Sequence, residues 1–599
     1  MAISAITVET AQEASISGGK VIPAGPPDPR FEDFVQHRAL RAAGVDEEES
    51  RQRLEALKEA FYTSDADFKQ PIATQIPSGY SGPEVTFKGT PYASALQNAF
   101  YANVEDMLAK IDSTGMYHTS TKGALAWAGI PRSAGGEFGT YRPDVGIYYG
   151  DSWSRDLGRS LQELTDLGYT KPALQTADYV FRAARLWEAN PSLKYHGVSL
   201  PPHWSRVINR PDFSLPFEND GHGLISLFLY QLWRSLPNRD DWLRAHWSGV
   251  KAAGDWIPWQ FSHPQISGAT DGVLHTTGES AGGNGYSVYP DAICMIALEG
   301  LARMADSIGE TQSAQLWRDT AAKMRSAIPK RYLIDDPKYG QVWTLVDAGW
   351  PDKSTVLGPL IFTADYRGYA PDDVYAPWRS ADAAAYRRLT GTYKPFGFYG
   401  WAMGYGQGFV TQSALLLDRM KDATTMLNWT AREVYDPQIH SYVVPEGVQV
   451  DPAGRFLYRT GDQGNGVQEA EIVKIFRILI GVDDMDCRHI KILPRLPYGW
   501  NEMAVTDYPL LVQRAGKTES THLRYRLGRT DGRLSLNISS DRDLGAVTVR
   551  LGPFEKQPRA SDARINGRRP RKASIQHSGD SWWVQCTAHV GPGPDSTHS

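Results

Sequence analysis

The chain has 599 residues, with 63 basic and 68 acidic side chains, a formal net charge of −5 and a hydrophobic content of 41%. That length exceeds one ordinary core and implies roughly two to four domains. The near-balanced charge argues against a strongly basic face and so against nucleic acid as a partner, and the absence of any long apolar run argues against a membrane-spanning helix. Cys294, Cys487 and Cys586 stand far apart with no Cys/His cluster, so the reading calls for no metal and no cofactor. The first twenty residues lack the basic and apolar regions of a signal peptide. The expected location is cytoplasmic, or exported with a signal peptide absent from this sequence, and nothing specifies an oligomeric state.

Taken in chain order, residues 1–91 read as an N-terminal arm, irregular with one short helix. "PAGPPDPR" is Pro-rich, "DEEESRQRLEALKEAFY" is the charged helix, and "PSGYSGPEVTFKGTPY" is loop with room for one strand. Residues 92–484 are helical throughout, with apolar residues at three- and four-residue spacing in about twelve segments, a weak one near 354–365 included. "GHGLISLFLYQLW" and "YPDAICMIALEGLA" are apolar nearly all round and should be buried on every side. "DDWLRAHWSGVKAAG" and "TQSAQLWRDTAAKM" are amphipathic and should keep one wet face. This alternation predicts two concentric rings of helices. Residues 485–599 change to apolar/polar alternation, and "RTDGR" is a hairpin signal, so a C-terminal β-sandwich is expected.

Short turns such as "LGYTKP" and "DSIGETQ" join hairpin partners at one end of the rings. The long loops, at about 190–220, 263–288, 391–403 and 435–465, fall at the other end, where function usually sits. They are rich in aromatics and acids, in a chain with 18 Trp and 29 Tyr. Such an excess favours a protein that stacks flat, amphipathic ligands, and a sugar fits.

"YYGDSWSRDLGRSL" puts Tyr149, Trp153, Arg155 and Asp156 at a helix start. "PFENDGHG" adds Glu218, Asp220 and His222, the loop 271–289 carries Glu279 and Tyr286, and "VVPEG" carries Glu446. Hydrolysis of a glycosidic bond needs two carboxyl groups facing each other across it, in environments that keep one protonated and one ionised. On residue grounds alone Glu279 is either a loop-capping carboxylate or an acid. Glu446 is either a turn residue or a base, and Arg155–Asp156 either a structural ion pair or a grip on substrate. His222 and His275 suit core or loop positions better than acid or base roles.

In their order and approximate spacing, "YYGDSWSRDLGRSL", "ENDGHGLISLFLY", "GESAGGNGYSVYPDAICMIALEGLARMADSIGE" and "VVPEGVQ…GDQGNGVQEAEIVKIFRIL" resemble motifs of inverting glucoamylase-like glycosidases. These form the six-hairpin (α/α)6-barrel clan around glycoside hydrolase family 15, and the resemblance covers about 92–482. It implies a mainly α fold built on an (α/α)6 toroid and acting on carbohydrate; the C-terminal all-β sandwich that follows the toroid rests on the alternation above, since the family's bacterial members usually carry such a domain in front. It makes Glu279 the general acid and Glu446 the general base of an exo-acting, inverting hydrolase that needs no metal. Arg155 and Asp156 would hold the terminal sugar with Asp220 and His222 nearby, and Trp153, Tyr149, Trp204, Tyr286 and Trp401 would wall the site. The acid loop departs from the family's double glutamate, reading "TGESAGG". Two other readings compete. One is a polysaccharide lyase acting on uronic-acid-containing glycans, for which His203, Arg206 and Arg210 are available. The other is a non-catalytic carbohydrate-binding protein.

Overall fold

The computed structural model describes residues 48, 72–120, 152–189, 194–195, 198–204, 217–276, 285–343, 376–392, 403–435, 442–450, 457–514, 517–570 and 572–592. Eleven helices of eight residues or more lie among them. They are α1 (Ala93–Ala109), α2 (Ser154–Asp166), α3 (Thr170–Ala189), α4 (Asn219–Ser235), α5 (Arg239–Ser262), α6 (Val288–Ser307) and α7 (Thr311–Tyr332), followed by α8 (Ala376–Thr392), α9 (Phe409–Leu416), α10 (Met420–Val434) and α11 (Gly466–Ile480). A π-helical turn, Met403–Gly408, leads into α9. The weak segment near 354–365 lies outside the described residues.

Burial sorts the helices into two layers. In α2 every residue but Asp166 is buried, in α4 every residue but the last two, and in α11 every residue but Arg477. α5 and α7 bury one stripe and wet the other, as the amphipathic pattern requires. In the inner layer α2 packs on α4, α4 on α6, α9 on α11, and α11 back on α2. Tyr289 of α6 meets Phe409 of α9, ring centroids 6.1 Å apart. In the outer layer the last helix, α10, packs on the first, α1. The chain therefore closes on itself in both layers, and the helical region is an (α/α)6 toroid.

One inner helix, α2, is polar by sequence yet buried, so its charges need partners. Arg159 of α2 pairs with Glu471 of α11, whose Oε2 also accepts a 2.8 Å bond from Gln412 of α9. Gln162 donates to the Leu224 carbonyl of α4 at 2.9 Å. The α2–α4 crossing is close because it is built on glycine. A Cβ at Gly158 would lie 2.7 Å from the Ile225 nitrogen, and one at Gly221 would lie 2.0 Å from Ser154 Oγ.

The strands are β1 (Glu84–Lys88), two short ladders β2 (Lys194–Tyr195)–β3 (Val198–Ser199) and β4 (Leu333–Asp336)–β5 (Gly340–Trp343), and the hairpin β6 (Pro445–Val450)–β7 (Leu457–Gln463). The C-terminal region holds β8 (Val482–Asp483), β9 (Lys491–Ile492), β10 (Glu502–Arg514), β11 (Lys517–Thr530), β12 (Arg533–Ser540), β13 (Gly545–Phe554), β14 (Ala573–Ser578) and β15 (Ser581–Val590). They form a four-stranded sheet ordered β1-β10-β11-β12 and a five-stranded sheet ordered β14-β15-β13-β9-β8. The "RTDGR" turn joins β11 to β12 with Asp531 and Gly532 both at positive φ, 50° and 74°, the twist a two-residue hairpin needs. The strand within the N-terminal segment, β1, is an edge strand of the C-terminal sheet, with Val85 opposite Val505 and Phe87 opposite Met503.

This β-region docks on the C-terminal ends of the inner helices. Arg234 at the end of α4 donates to the Asp484 and Met485 carbonyls at 2.9 and 3.3 Å. Arg550 of β13 makes a bidentate pair with Asp418, at 2.7 and 2.8 Å. A cavity of about 190 Å³ lies at this junction, lined in part by Asp166, Arg234, Arg477, Asp484 and Tyr508.

Candidate functional site

The opposite, N-terminal ends of the inner helices gather the charged residues singled out from the sequence. Arg155 lies in the first turn of α2 and Asp220 in the first turn of α4, with Glu218 as its N-cap residue. The Arg155 guanidinium donates from Nε to Asp220 Oδ2 at 2.5 Å and from Nη2 to Glu218 Oε1 at 2.5 Å. All three are buried, with Asp220 wholly inaccessible. Charge-assisted bonds of this kind fix the planar fork rigidly. Asp156, next in sequence, accepts the Val467 N–H of α11 through Oδ1 at 3.0 Å. A carboxylate there caps the helix and meets the positive end of its dipole.

A chain of backbone bonds brings Glu446 to the same place. The Val444 carbonyl, two residues before Glu446, accepts the Gly464 N–H at 2.9 Å. Gly464 lies three residues before Val467, which is bonded to Asp156. The neighbouring Gly466 N–H bonds the Thr119 carbonyl at 2.9 Å, and Thr119 Oγ1 accepts the Trp153 N–H at 3.1 Å. Glu446 itself is half-buried at the start of β6, where a bulge between Pro445 and Gly447 re-aims the strand.

Below this hairpin, Lys110 is fully buried and bonds both the Gly464 carbonyl and the Glu469 carboxylate, with Asp106 3.2 Å away. Burial alone would lower the pKa of its ammonium group. Burial is the largest single influence, but Glu469, Tyr117 and Asp106 together outweigh it and hold the ammonium above its ordinary value.

Glu279 lies outside the described residues, as do Tyr149, Trp401, Arg206 and Arg210. The two stems of the Glu279 loop are described. Thr276 and Gly285 form an antiparallel bridge, with N–H to carbonyl distances of 2.8 and 3.0 Å. Thr276 Oγ1 donates to the Phe217 carbonyl at 2.8 Å and accepts the Asn219 N–H at 3.2 Å. Asn219 Nδ2 donates to the His275 carbonyl at 3.0 Å. The stems are thus tied to the residues on either side of Glu218, the partner of Arg155.

Asp291, in the first turn of α6, holds this stem from beneath by accepting the Leu274 N–H at 2.8 Å and the Tyr332 hydroxyl at 2.6 Å. Burial pushes its pKa up to about 7, against those two bonds and the nearby Arg331.

Trp153 is half-buried at the N-cap position of α2. His222 is wholly buried, its Nδ1 accepts the Trp204 N–H at 3.1 Å, and burial lowers its pKa to about 3, so it is neutral. Trp204 is buried edge-on against Phe181 at 5.5 Å. Tyr286 donates its hydroxyl to the Gly268 carbonyl at 2.8 Å and lies under the Arg331 guanidinium, 3.8 Å from the ring centroid. His203 is buried and stacks on Trp256 at 3.8 Å.

Sequence reading passed over Lys110, Glu469 and Asp291. Glu469, in the first turn of an otherwise apolar helix, carried the clearest signal. Lys110 at the end of a helix looked like an ordinary solvated terminus. Among the described residues no group of His, Cys, Asp or Glu has the arrangement of a metal site.

No protein-family model matches the chain, and no curated protein matches its sequence. Solved structures are similar to it in shape. They include the alpha-L-rhamnosidase from Dictyoglumus thermophilum (TM-score 0.46, 11% identity, over 87% of this chain and 48% of that one). A GH78 family rhamnosidase of Bacillus sp. GL1 gives a TM-score of 0.48 at 13% identity, over 76% of this chain and 42% of that one. A bacterial glucoamylase complexed with acarbose gives 0.40 at 18% identity, over 63% and 55%. The match spans about half the length of each of these three chains.

Proposed function

We propose that the chain is an exo-acting glycoside hydrolase that removes terminal sugars from oligo- or polysaccharides with inversion of the anomeric centre. One observation carries this reading. Arg155, Asp156, Glu218, Asp220, the hairpin bearing Glu446 and both stems of the Glu279 loop are joined by hydrogen bonds at one end of a closed helical ring. In the proposed mechanism Glu279, protonated, donates to the glycosidic oxygen. Glu446, ionised, activates a water on the opposite face of the sugar, as inverting chemistry requires. Arg155 and Asp156 hold hydroxyls of the terminal sugar. Arg155 is fixed for this by Glu218 and Asp220. Tyr149, Trp153 and Trp401 stack on the sugar, while Trp204, His222 and Tyr286 support the wall. The buried, stacked state of His203 gives the lyase reading no exposed base at that residue.

The test is a panel of aryl-glycosides and oligosaccharides with the released sugar followed by NMR. The expected result is a saturated monosaccharide whose first-formed anomer is opposite to that of the substrate. An unsaturated uronate product, or tight binding with no product, would overturn the proposal.

A further inference from the structure

The balanced charge of the whole chain conceals one strongly cationic excursion, between β13 and β14 on the face of the C-terminal region. Residues 555–572 read "EKQPRASDARINGRRPRK", with seven Lys or Arg and two acids. Six of the cations are described, namely Lys556, Arg559, Arg564, Arg568, Arg569 and Lys572, and all six are exposed. None of the six forms an ion pair with another described residue. Elsewhere in the β-region, exposed cations are commonly paired: Lys88 and Arg526 with Glu502, Arg524 with Asp507 and Asp541, Arg542 with Glu519.

The excursion also has a defined shape. Ile565 and Arg568 exchange backbone bonds of 2.8 and 3.0 Å around Asn566 and Gly567, whose φ values of 50° and 76° make a two-residue hairpin tip. Arg564 donates back to the Ser561 and Ala563 carbonyls. Arg568 and Arg569 follow directly on this tip. A row of unpaired, like-charged side chains on a structured turn repels itself unless an anion offsets it.

We propose that Lys556, Arg559, Arg564, Arg568, Arg569 and Lys572 form a binding surface for a linear anionic polysaccharide carrying carboxylate or sulfate groups. Guanidinium forks match those groups bidentately. The segment contains no aromatic residue on which bases could stack, and it is a hairpin rather than a helix fitted to a major groove. It also has only one bulky apolar side chain, Ile565, with which to enter a lipid surface. The β-region docks at the C-terminal ends of the inner helices, so this surface would anchor the protein rather than present a bond to the site at the other end.

The experiment uses the full chain with polygalacturonate and heparin as probes, dextran as neutral control, and duplex DNA and phosphatidylglycerol vesicles as competing anions. Binding is measured across a salt series. The variant is Arg568→Ala/Arg569→Ala/Lys572→Ala, and the control variant is Arg514→Ala/Lys517→Ala/Arg533→Ala, with thermal unfolding of both to show retained folding. The expected result is binding to an anionic polysaccharide that weakens steeply with salt and falls about tenfold or more in the first variant only. No binding at low salt, equal loss in both variants, or tighter binding to DNA or vesicles than to either polysaccharide would overturn it.

Discussion

The two ends of the inner ring are built from the same residue types and do different work. At the C-terminal end, arginines are spent on backbone carbonyls and on the carboxylates of neighbouring acidic residues. Arg234 holds Asp484 and Met485, Arg495 bonds the Ile478 carbonyl at 3.0 Å, and Arg477 pairs with Glu163 at 2.9 and 3.1 Å. Orphan carbonyls and the negative end of the helix dipole favour cations there, and the result is a seam between toroid and β-region. At the N-terminal end the dipoles favour carboxylates, and Asp156, Glu218, Asp220 and Asp291 collect in first turns or caps. There the charges brace Arg155, the start of α11 and the stem of the Glu279 loop. Helix direction, common to the described inner helices, separates the end that becomes a joint from the end where we place the site.

The largest effects should come from removing the charges the site would use. Glu279→Gln and Glu446→Gln should each lower kcat by about 10²- to 10⁴-fold, the range for general acid–base groups, with an unchanged circular dichroism spectrum. Near-normal rates in both variants would refute the assignment. Next in size, Arg155→Met leaves Glu218 and Asp220 buried without their cation. It should destabilise the fold by roughly 3–5 kcal/mol in denaturant unfolding as well as abolish turnover. Arg477→Met, at the seam, should destabilise by a smaller amount, about 2–3 kcal/mol, because Arg477 is partly exposed. Its kcat per folded molecule should match wild type. A large loss of kcat would erase the distinction between the two ends.

A pH effect follows from Asp291. Its folded-state pKa, near 7, lies above its ordinary value because of burial. The folded chain therefore binds a proton that the unfolded chain has released. The associated stability is full at acid pH and is lost as pH rises through about 7. Asp291→Asn should remove a decline of the order of 2 kcal/mol between pH 5 and 8, seen as a flatter dependence of the unfolding midpoint on pH. The smallest effect is expected on the outer surface. Lys251→Ala, which breaks the exposed pair with Asp255, should change stability by less than about 0.5 kcal/mol.

Periodicity alone revealed the double ring, because α4 and α6 are apolar on every face and α5 and α7 are not. The turn residues of "RTDGR" likewise declared their hairpin. Periodicity did not reveal that α2 and α11 are inner helices as well. "SRDLGRSLQELTD" reads as a polar surface helix until each charge is matched with a partner over 300 residues away, as Arg159 is with Glu471 and Glu163 with Arg477. Pairing of that kind is a property of the fold and leaves no local pattern. The same limit hid Lys110, and it hid the membership of β1 in the C-terminal sheet, since five alternating residues cannot name a partner strand over 400 residues distant. Clustering by residue type served better at the site: Arg155, Asp156, Glu218 and Asp220 were legible as a charged group before a buried helix. His222 and Trp204 were chosen for chemical type, and the fold encloses both in packed wall.

A crystal structure of the chain with a sugar bound tests the central claim most directly, through one distance. With the sugar held by Arg155 and Asp156, the carboxyl groups of Glu279 and Glu446 should face each other across its anomeric carbon at about 6.5–9.5 Å, leaving room for a water. Carboxyl groups that open onto separate surfaces, or a sugar seated away from Arg155 and Asp156, would contradict the account.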